Sequence, residues 1–311
     1  MLERWTDRLS RSLLPLFALV ALPMIISGQP AGSDEIDSAD LEFIRLVRDG
    51  EDSGRLQTAV TTLTNDEGQQ VVLYSAVHIG DASYYRALQR EFTTCDAVLY
   101  ELIAQKGLRP EPGERARGLI TIFQRFLQRA LALEFQLDGI DYSVANFVHA
   151  DMTPEQFARS QEKRGESLLT MMFRSYMAAF QRELSGNGSS MTPDALFRAF
   201  ESKDRARALK LLLAGELSQI ESLMAGFDGP DGESAIVTDR NKVCIGVLED
   251  ELAEKGRRRI GIFYGGAHMP DMIARVKALG FEVRHHRFLT AWDCRSPEDR
   301  KREREKKEEN L

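Results

Sequence analysis

Apolar positions along this chain change their period several times, and each change marks an element. Residues 41–47 and 55–64 read as extended, and the second stretch alternates loosely and ends in Asn65-Asp66-Glu67-Gly68, a good turn sequence. Residues 71–77 are apolar almost without a break, as in a strand buried on both faces. Residues 82–92 switch to helical spacing, with Tyr85, Leu88 and Phe92 on one side, and 96–103 is strand-like again. Strand, helix and strand in so short a span predict a βαβ unit with parallel strands. Helical periodicity then runs through 115–137, 154–164, 166–184, 193–200 and 203–225, as in Leu119, Ile122, Phe123, Phe126 and Leu127. Breaks fall at 186–190 and 226–232, and the Leu and Met stripes between them read as core. A helix is expected over 234–255, a strand over 259–264, a helix over 269–279 and a last strand over 281–289. From Ser296 onward Arg, Lys and Glu alternate with almost no apolar residue, giving a solvated helix or a disordered tail.

Sheet-forming segments therefore sit at both ends of the chain, with helices between them. The expected fold is mixed α/β: a central mixed sheet built from both ends, flanked by helices. One domain would cover 41–295, with a helical insertion at about 115–232 and a charged tail over 296–311. The loops after Val77 and Tyr264 each follow a strand and precede a helix, which puts them on one edge of the sheet. Sites in open α/β sheets form at the carboxyl ends of the strands.

The N-terminus changes the picture of where this domain works. Arg4, Arg8 and Arg11 precede an apolar run over 13–27, followed by Gly28 and a polar, acidic linker over 29–40. That order is the order of a secretory signal. The run is short for a spanning helix and carries Pro15 and Pro23. Cleavage after Gly28 is expected; an uncleaved membrane anchor is the alternative, and both leave the rest of the chain outside the cytoplasm. The composition of the 311 residues, 43% hydrophobic and 29% charged, is that of an ordinary globular protein. A formal net charge of −7 argues against nucleic acid as a partner, because phosphate binding needs a concentrated basic surface. Cys95, Cys244 and Cys294 lie far apart without CxxC spacing, which excludes a disulfide framework and a structural zinc site; buried free thiols are expected.

The chain has five histidines: His78, His149, His268, His285 and His286. His78, in Ser75-Ala76-Val77-His78, and His268, in Gly265-Gly266-Ala267-His268, fall at the two strand-to-helix loops. A small residue three positions earlier would free the backbone to turn sharply and aim each imidazole into a cleft. Glu101 closes the neighbouring apolar strand, where a carboxylate is costly unless paired. Two neutral imidazoles and a carboxylate suit a first-row divalent ion with open positions for water. Such an ion would supply hydroxide near neutral pH. Arg240 would hold a substrate carboxylate or an oxyanion, or else pair with Glu101 or another acid. On its helix Ile236, Val243 and Val247 would face the core, and Asn241 is a candidate orienter. His149 and Asp151, ahead of the helix start at Thr153-Pro154-Glu155, are candidate extra ligands or acid–base groups. His285 and His286 lie next to each other on a strand, so their side chains point to opposite faces.

Taken in order, these motifs resemble the paired GxxH motifs of the TraB/PrgY/GumN and TIKI superfamily. There a first GxxH follows a strand and a Glu closes the next one, as His78 and Glu101 do here. A helical middle and an Arg-Asn or Arg-Asp pair opening a long helix come next, matched by Thr238-Asp239-Arg240-Asn241-Lys242. The second GxxH is last, here ending at His268, so the resemblance covers residues 70–290. Ser75 departs from the usual Gly of the first motif. The resemblance implies an α/β fold with a helical insertion. It also implies membership of a group holding both metal-dependent peptidases and binding or signalling-control proteins. The expected function is a metal-dependent hydrolase of peptide or amide bonds acting outside the cytoplasm on a peptide or small-molecule substrate. Its ion would be Mn, Co or Zn, held by His78, Glu101 and His268, with Glu101 or Arg240 in catalysis. The alternative is a non-catalytic protein that captures a peptide, a metal or haem.

Overall fold

Seven strands drawn from both ends of the chain hydrogen-bond into one mixed sheet. The structure, a computed structural model, describes residues 41–110, 131, 133–166, 192–219, 231–254 and 256–309. All of them fall within one unit, Ile36–Leu311. Strands β1 (Ile44–Gly50) and β2 (Ser53–Thr64) form an antiparallel hairpin. The chain then turns back through Gly68, at φ 78°, into β3 (Gln70–Ala76). On the other side of β2 runs β9 (Glu282–Asp293), antiparallel to it. From β3 the sheet continues through β8 (Arg259–Gly265), β5 (Ala97–Tyr100) and β7 (Phe147–His149), all parallel. Strand β8 thus lies between β3 and β5, filling the gap that the βαβ unit leaves.

Both faces of the sheet are covered, which is why β3 has no polar alternation. Val72, Tyr74 and Ala76 pack with Tyr84, Tyr85, Leu88 and Phe92 of α1 (Ala82–Phe92) and with Leu211 and Ala214 of α5 (Arg205–Leu217). Val71 and Leu73 face the other way, onto Cys244 and Leu248 of α6 (Thr238–Ala253) and onto Met272, Ile273 and Val276 of α7 (Met269–Ala278). A short antiparallel pair, β4 (Ile79–Gly80) with β6 (Glu134–Phe135), ties the loop after β3 to the helical turn α2 (Gln136–Gly139). Helix α3 (Pro154–Arg164) starts where Thr153 and Gln156 bond reciprocally as a capping box. Helix α4 (Pro193–Glu201) precedes α5, and the charged end of the chain is helical as α8 (Pro297–Glu309).

Several expectations shift. The first strand begins at Ile44, three residues late, and the last one runs on to Asp293. Residues 134–139 give a two-residue strand and a turn of helix, not the end of a long helix, and β7 was not anticipated. Residues 1–40, most of the expected helices over 115–137 and 166–184, and the end of the one over 203–225 lie outside the described residues. No helix among the described residues is long and apolar enough to cross a membrane.

Candidate functional site

Four adjacent parallel strands each deliver one ionisable side chain just past their carboxyl ends. In sheet order these are His78 after β3, His268 in the 3-10 turn after β8, Glu101 after β5, and Asp151 after β7. The turn Gly266–His268 leads directly into α7, which fixes the His268 backbone. A fifth side chain, Arg240, enters from the first turn of α6. The buried side of that helix is Thr238, Arg240, Asn241, Cys244 and Leu248, whereas Ile236, Val243 and Val247 are half-buried. The register is about one residue away from the expected one: Arg240 belongs to both stripes, and the shift turns Asn241 inward.

Arg240 is 6% exposed and its donors are saturated. Nε donates to Asp151 Oδ1 at 3.0 Å and Nη2 to Asp151 Oδ2 at 2.6 Å, a two-point fork. Nη2 also reaches Glu101 Oε1 at 2.8 Å, while Nη1 reaches the Ile236 carbonyl at 3.3 Å and His268 Nε2 at 3.4 Å. The salt-bridge alternative for Arg240 is therefore the one observed. The second Glu101 oxygen accepts the Gly265 N–H at 2.7 Å. Burial pushes the Glu101 carboxyl up, but the opposing pull of His268, Arg240 and His78 outweighs it. The carboxyl is held well below the usual range and is ionised. For Arg240 burial acts downward, and Asp151 and Glu101 more than reverse it, so the guanidinium keeps its charge.

Both histidines lie close to this carboxylate. His268 Nε2 lies 3.6 Å from Glu101 Oε1. A side chain begun at Gly265 would put its Cβ 3.3 Å from Glu101 Oε2, 3.8 Å from His268 Cδ2 and 3.9 Å from His78 Nε2. Glycine at 265 thus keeps a small space open between all three. Its φ of −55° is ordinary, so it serves room rather than turning. At Gly266 a Cβ would collide with Ile44 and press on the Ser75 hydroxyl at 3.0 Å. Ser75 itself lies inside β3 and donates to the Phe43 carbonyl at 3.0 Å, so it pins the incoming chain rather than bending the loop. The expected role of both small residues, sharp turning, is corrected: Gly265 leaves room for the three site side chains, and Ser75 anchors the Phe43 backbone.

The chain matches no family model, no curated protein and no solved structure. What it can do has to be read from the geometry itself.

The donor set fits a divalent ion in its chemistry: two imidazoles and a carboxylate around one space, with each imidazole Nδ1 held by an amide. The spacing is not that of a closed centre. Metal ligands stand about 2.0–2.2 Å from a first-row ion, and among the described residues no three His, Cys, Asp or Glu side chains are gathered to hold one. Arg240 occupies Glu101 Oε1, so an ion there would compete with it.

Other candidates are placed as follows. Asp151 joins the site as the anchor of Arg240, whereas His149 Nε2 is 2.6 Å from the Leu102 carbonyl and packs on Tyr100. His286 Nδ1 lies 2.8 Å from Thr61 Oγ1, between the Phe43 and Phe288 rings, and His285 is exposed. Both are on β9, beyond β2 and away from the carboxyl ends of the four site strands. Cys95, Cys244 and Cys294 are buried and free. A cavity of about 870 Å³ between α3 and α6 is lined by Arg159, Lys163, Arg164, Asp239 and Lys242, but not by His78, Glu101 or His268. Gln136, behind His78, and Asp271, behind Asn241, were not anticipated. The one hint of Gln136 was an amide set among Leu131, Leu133, Phe135 and Leu137.

Proposed function

We propose that this protein is a hydrolase of peptide or amide bonds, of the TraB/GumN/TIKI type, acting outside the cytoplasm at the space over Gly265. The observation that supports this most is an ionised carboxylate, Glu101, gathered with two imidazoles around Gly265 at the carboxyl ends of three adjacent parallel strands. Glu101 would orient the attacking water and take its proton, and Arg240 would keep that carboxylate ionised and in place. His78, half open to solvent at the mouth of the site, would meet the substrate carbonyl or the leaving nitrogen. His78, His268 and Glu101 would also hold a divalent Mn, Co or Zn ion, which when bound lowers the pKa of water and polarises a carbonyl.

A second reading, a binding protein without turnover, is favoured by one feature. Both Glu101 oxygens and the donors of Arg240 are already satisfied within the protein. The test measures metal content and peptide hydrolysis of the full-length protein with each of the three ions, beside a His78→Ala/His268→Ala double variant. Hydrolysis that falls by about 10²–10⁴ in a still-folded double variant is expected. Absence of turnover with every ion and without any would end the hydrolase proposal and leave the binding protein.

A further inference from the structure

Each histidine of the site is backed by a buried amide, and the two amides come from unrelated parts of the chain. Behind His268, Asn241 Nδ2 donates to the His268 carbonyl at 3.0 Å and to Asp271 Oδ2 at 2.8 Å. Both of these groups only accept, so the Asn241 oxygen is the atom 2.7 Å from His268 Nδ1. An amide oxygen has no proton to give. In the neutral ring Nδ1 therefore carries the hydrogen, and Nε2 is left to accept from Arg240 Nη1 at 3.4 Å. Behind His78, Gln136 Nε2 donates to the Tyr142 hydroxyl at 3.0 Å, which leaves Oε1 at 3.2 Å from His78 Nδ1. The Gln136 backbone N–H also donates to the His78 carbonyl at 2.8 Å, and Phe135 pairs with Ile79. Gln136 is 5% exposed, and a buried amide is tolerated only when both its ends are bonded. His78 itself is exposed on its open side, so little else restrains its ring.

We propose that Gln136 is a positioning residue: it holds His78 in the Nδ1–H tautomer and presents the Nε2 lone pair to the space over Gly265, as Asn241 does for His268. Its consequence for turnover rests on the hydrolase proposal; the tautomer does not. A histidine side chain free in water favours the opposite tautomer, with the proton on Nε2, so the protein must impose this one.

The experiment is long-range ¹⁵N–¹H NMR of the full-length protein labelled at histidine, above about pH 8, with signals assigned through His78→Ala and His268→Ala. In the wild type both site histidines should show the Nδ1–H pattern. In Gln136→Leu, His78 should move to the Nε2–H pattern or a mixture while His268 stays unchanged, and Gln136→Glu, which still accepts from Nδ1–H, should restore it. An Nε2–H signal for His78 in the wild type overturns the proposal without any variant, since it means that the amide is reversed, donating to His78 Nδ1 and accepting from the Tyr142 hydroxyl. An unchanged His78 pattern in folded Gln136→Leu overturns it equally. If the protein hydrolyses peptides, Gln136→Leu should lower kcat about 10- to 100-fold with KM nearly constant. If it hydrolyses none, the hydrolase proposal fails while the NMR result stands.

Discussion

At the scale of single residues, Arg240 decides how the site is held. A charge this buried persists only because every donor meets an acceptor, above all the two oxygens of Asp151, whose side chain is 0% exposed. Replacing Arg240 by Met would leave two buried carboxylates, Glu101 and Asp151, without the cation they share. Denaturant unfolding should show a loss of roughly 3–5 kcal/mol. A loss below about 1 kcal/mol would mean that water already shares the pair. Adding Asp151→Asn to Arg240→Met should cost less than the two single losses summed, because the second change removes a stranded charge. Much of this site was legible one residue at a time: His78, Glu101, His268 and the Arg240-Asn241 pair stand out as polar groups at element ends. Of the two partners of Arg240, Glu101 was legible and Asp151 was not, because it lies 89 positions earlier and any acid could have served. Gln136 was hidden for a related reason, since a lone amide in an apolar stretch has no spacing that betrays a partner at His78.

At the scale of elements, α3 and α6 are joined by charge. Arg164 Nε and Nη2 grip Asp239 Oδ2 and Oδ1 at 2.5 and 2.6 Å, and Arg164 Nη2 also reaches Glu233 at 2.7 Å. The Arg164 bonds, with help from Ser160 and Lys242, hold the Asp239 carboxyl far below its usual range, against a burial penalty. A carboxyl depressed in the folded state stabilises the protein above its unfolded value, near 3.9, and that stabilisation is lost as the pH falls through the folded value. Asp239→Asn should therefore cost roughly 1–2 kcal/mol at pH 7, between the worth of an exposed and a buried pair. The gap between variant and wild type should narrow once the pH drops below about 4. Denaturant titrations at pH 7 and pH 3 check this, and a gap that stays constant would show that the charge of Asp239 is not what matters. Elements with strong local punctuation were legible to the residue. Helix α1 spans 82–92, and α3 spans 154–164 behind its Thr153-Pro154 start. Strand β7 has only three residues, Phe147, Val148 and His149, too few to show a period, and it forms because Phe147 and Val148 complete the sheet beside β5. The register of α6 slipped because Ile236, Val243 and Val247 are only half-buried: Arg240 shares their face, but the fully buried side runs on through Asn241, Cys244 and Leu248.

At the scale of the whole molecule, the parallel part of the sheet cannot be completed by either half of the chain. Strands β3 and β5 come from the first hundred residues, yet they do not touch, and β8 hydrogen-bonds to both, with Ala76 beside Gly265 and Tyr100 beside Phe263. Ile260 and Ile262 of β8 are fully buried among residues of β3, β5, α6 and α7. That both ends must meet in one sheet was legible, because a helical middle left the strand patterns no other partners. That β8 would be inserted between the earlier strands was not, since periodicity carries no information about order across a sheet. The insertion has a consequence for folding. Ending the chain at Gly256 removes β8, α7 and β9, and so exposes facing edges of β3 and β5 and leaves the apolar side of α6 without its core. Such a fragment should show no cooperative unfolding transition by circular dichroism, whereas the intact protein should unfold in one step across β3, β5 and β8. A cooperative transition in the fragment would mean that the chain up to Gly256 folds by itself and that the C-terminal segment docks onto it. In that case the four-strand edge bearing His78, His268, Glu101 and Asp151 would be assembled only on docking. If the fragment is unfolded, the same long-range pairings that close the sheet also build the site, and a variant that weakens β8, such as Ile262→Ala at about 2–5 kcal/mol, should lose stability and site together.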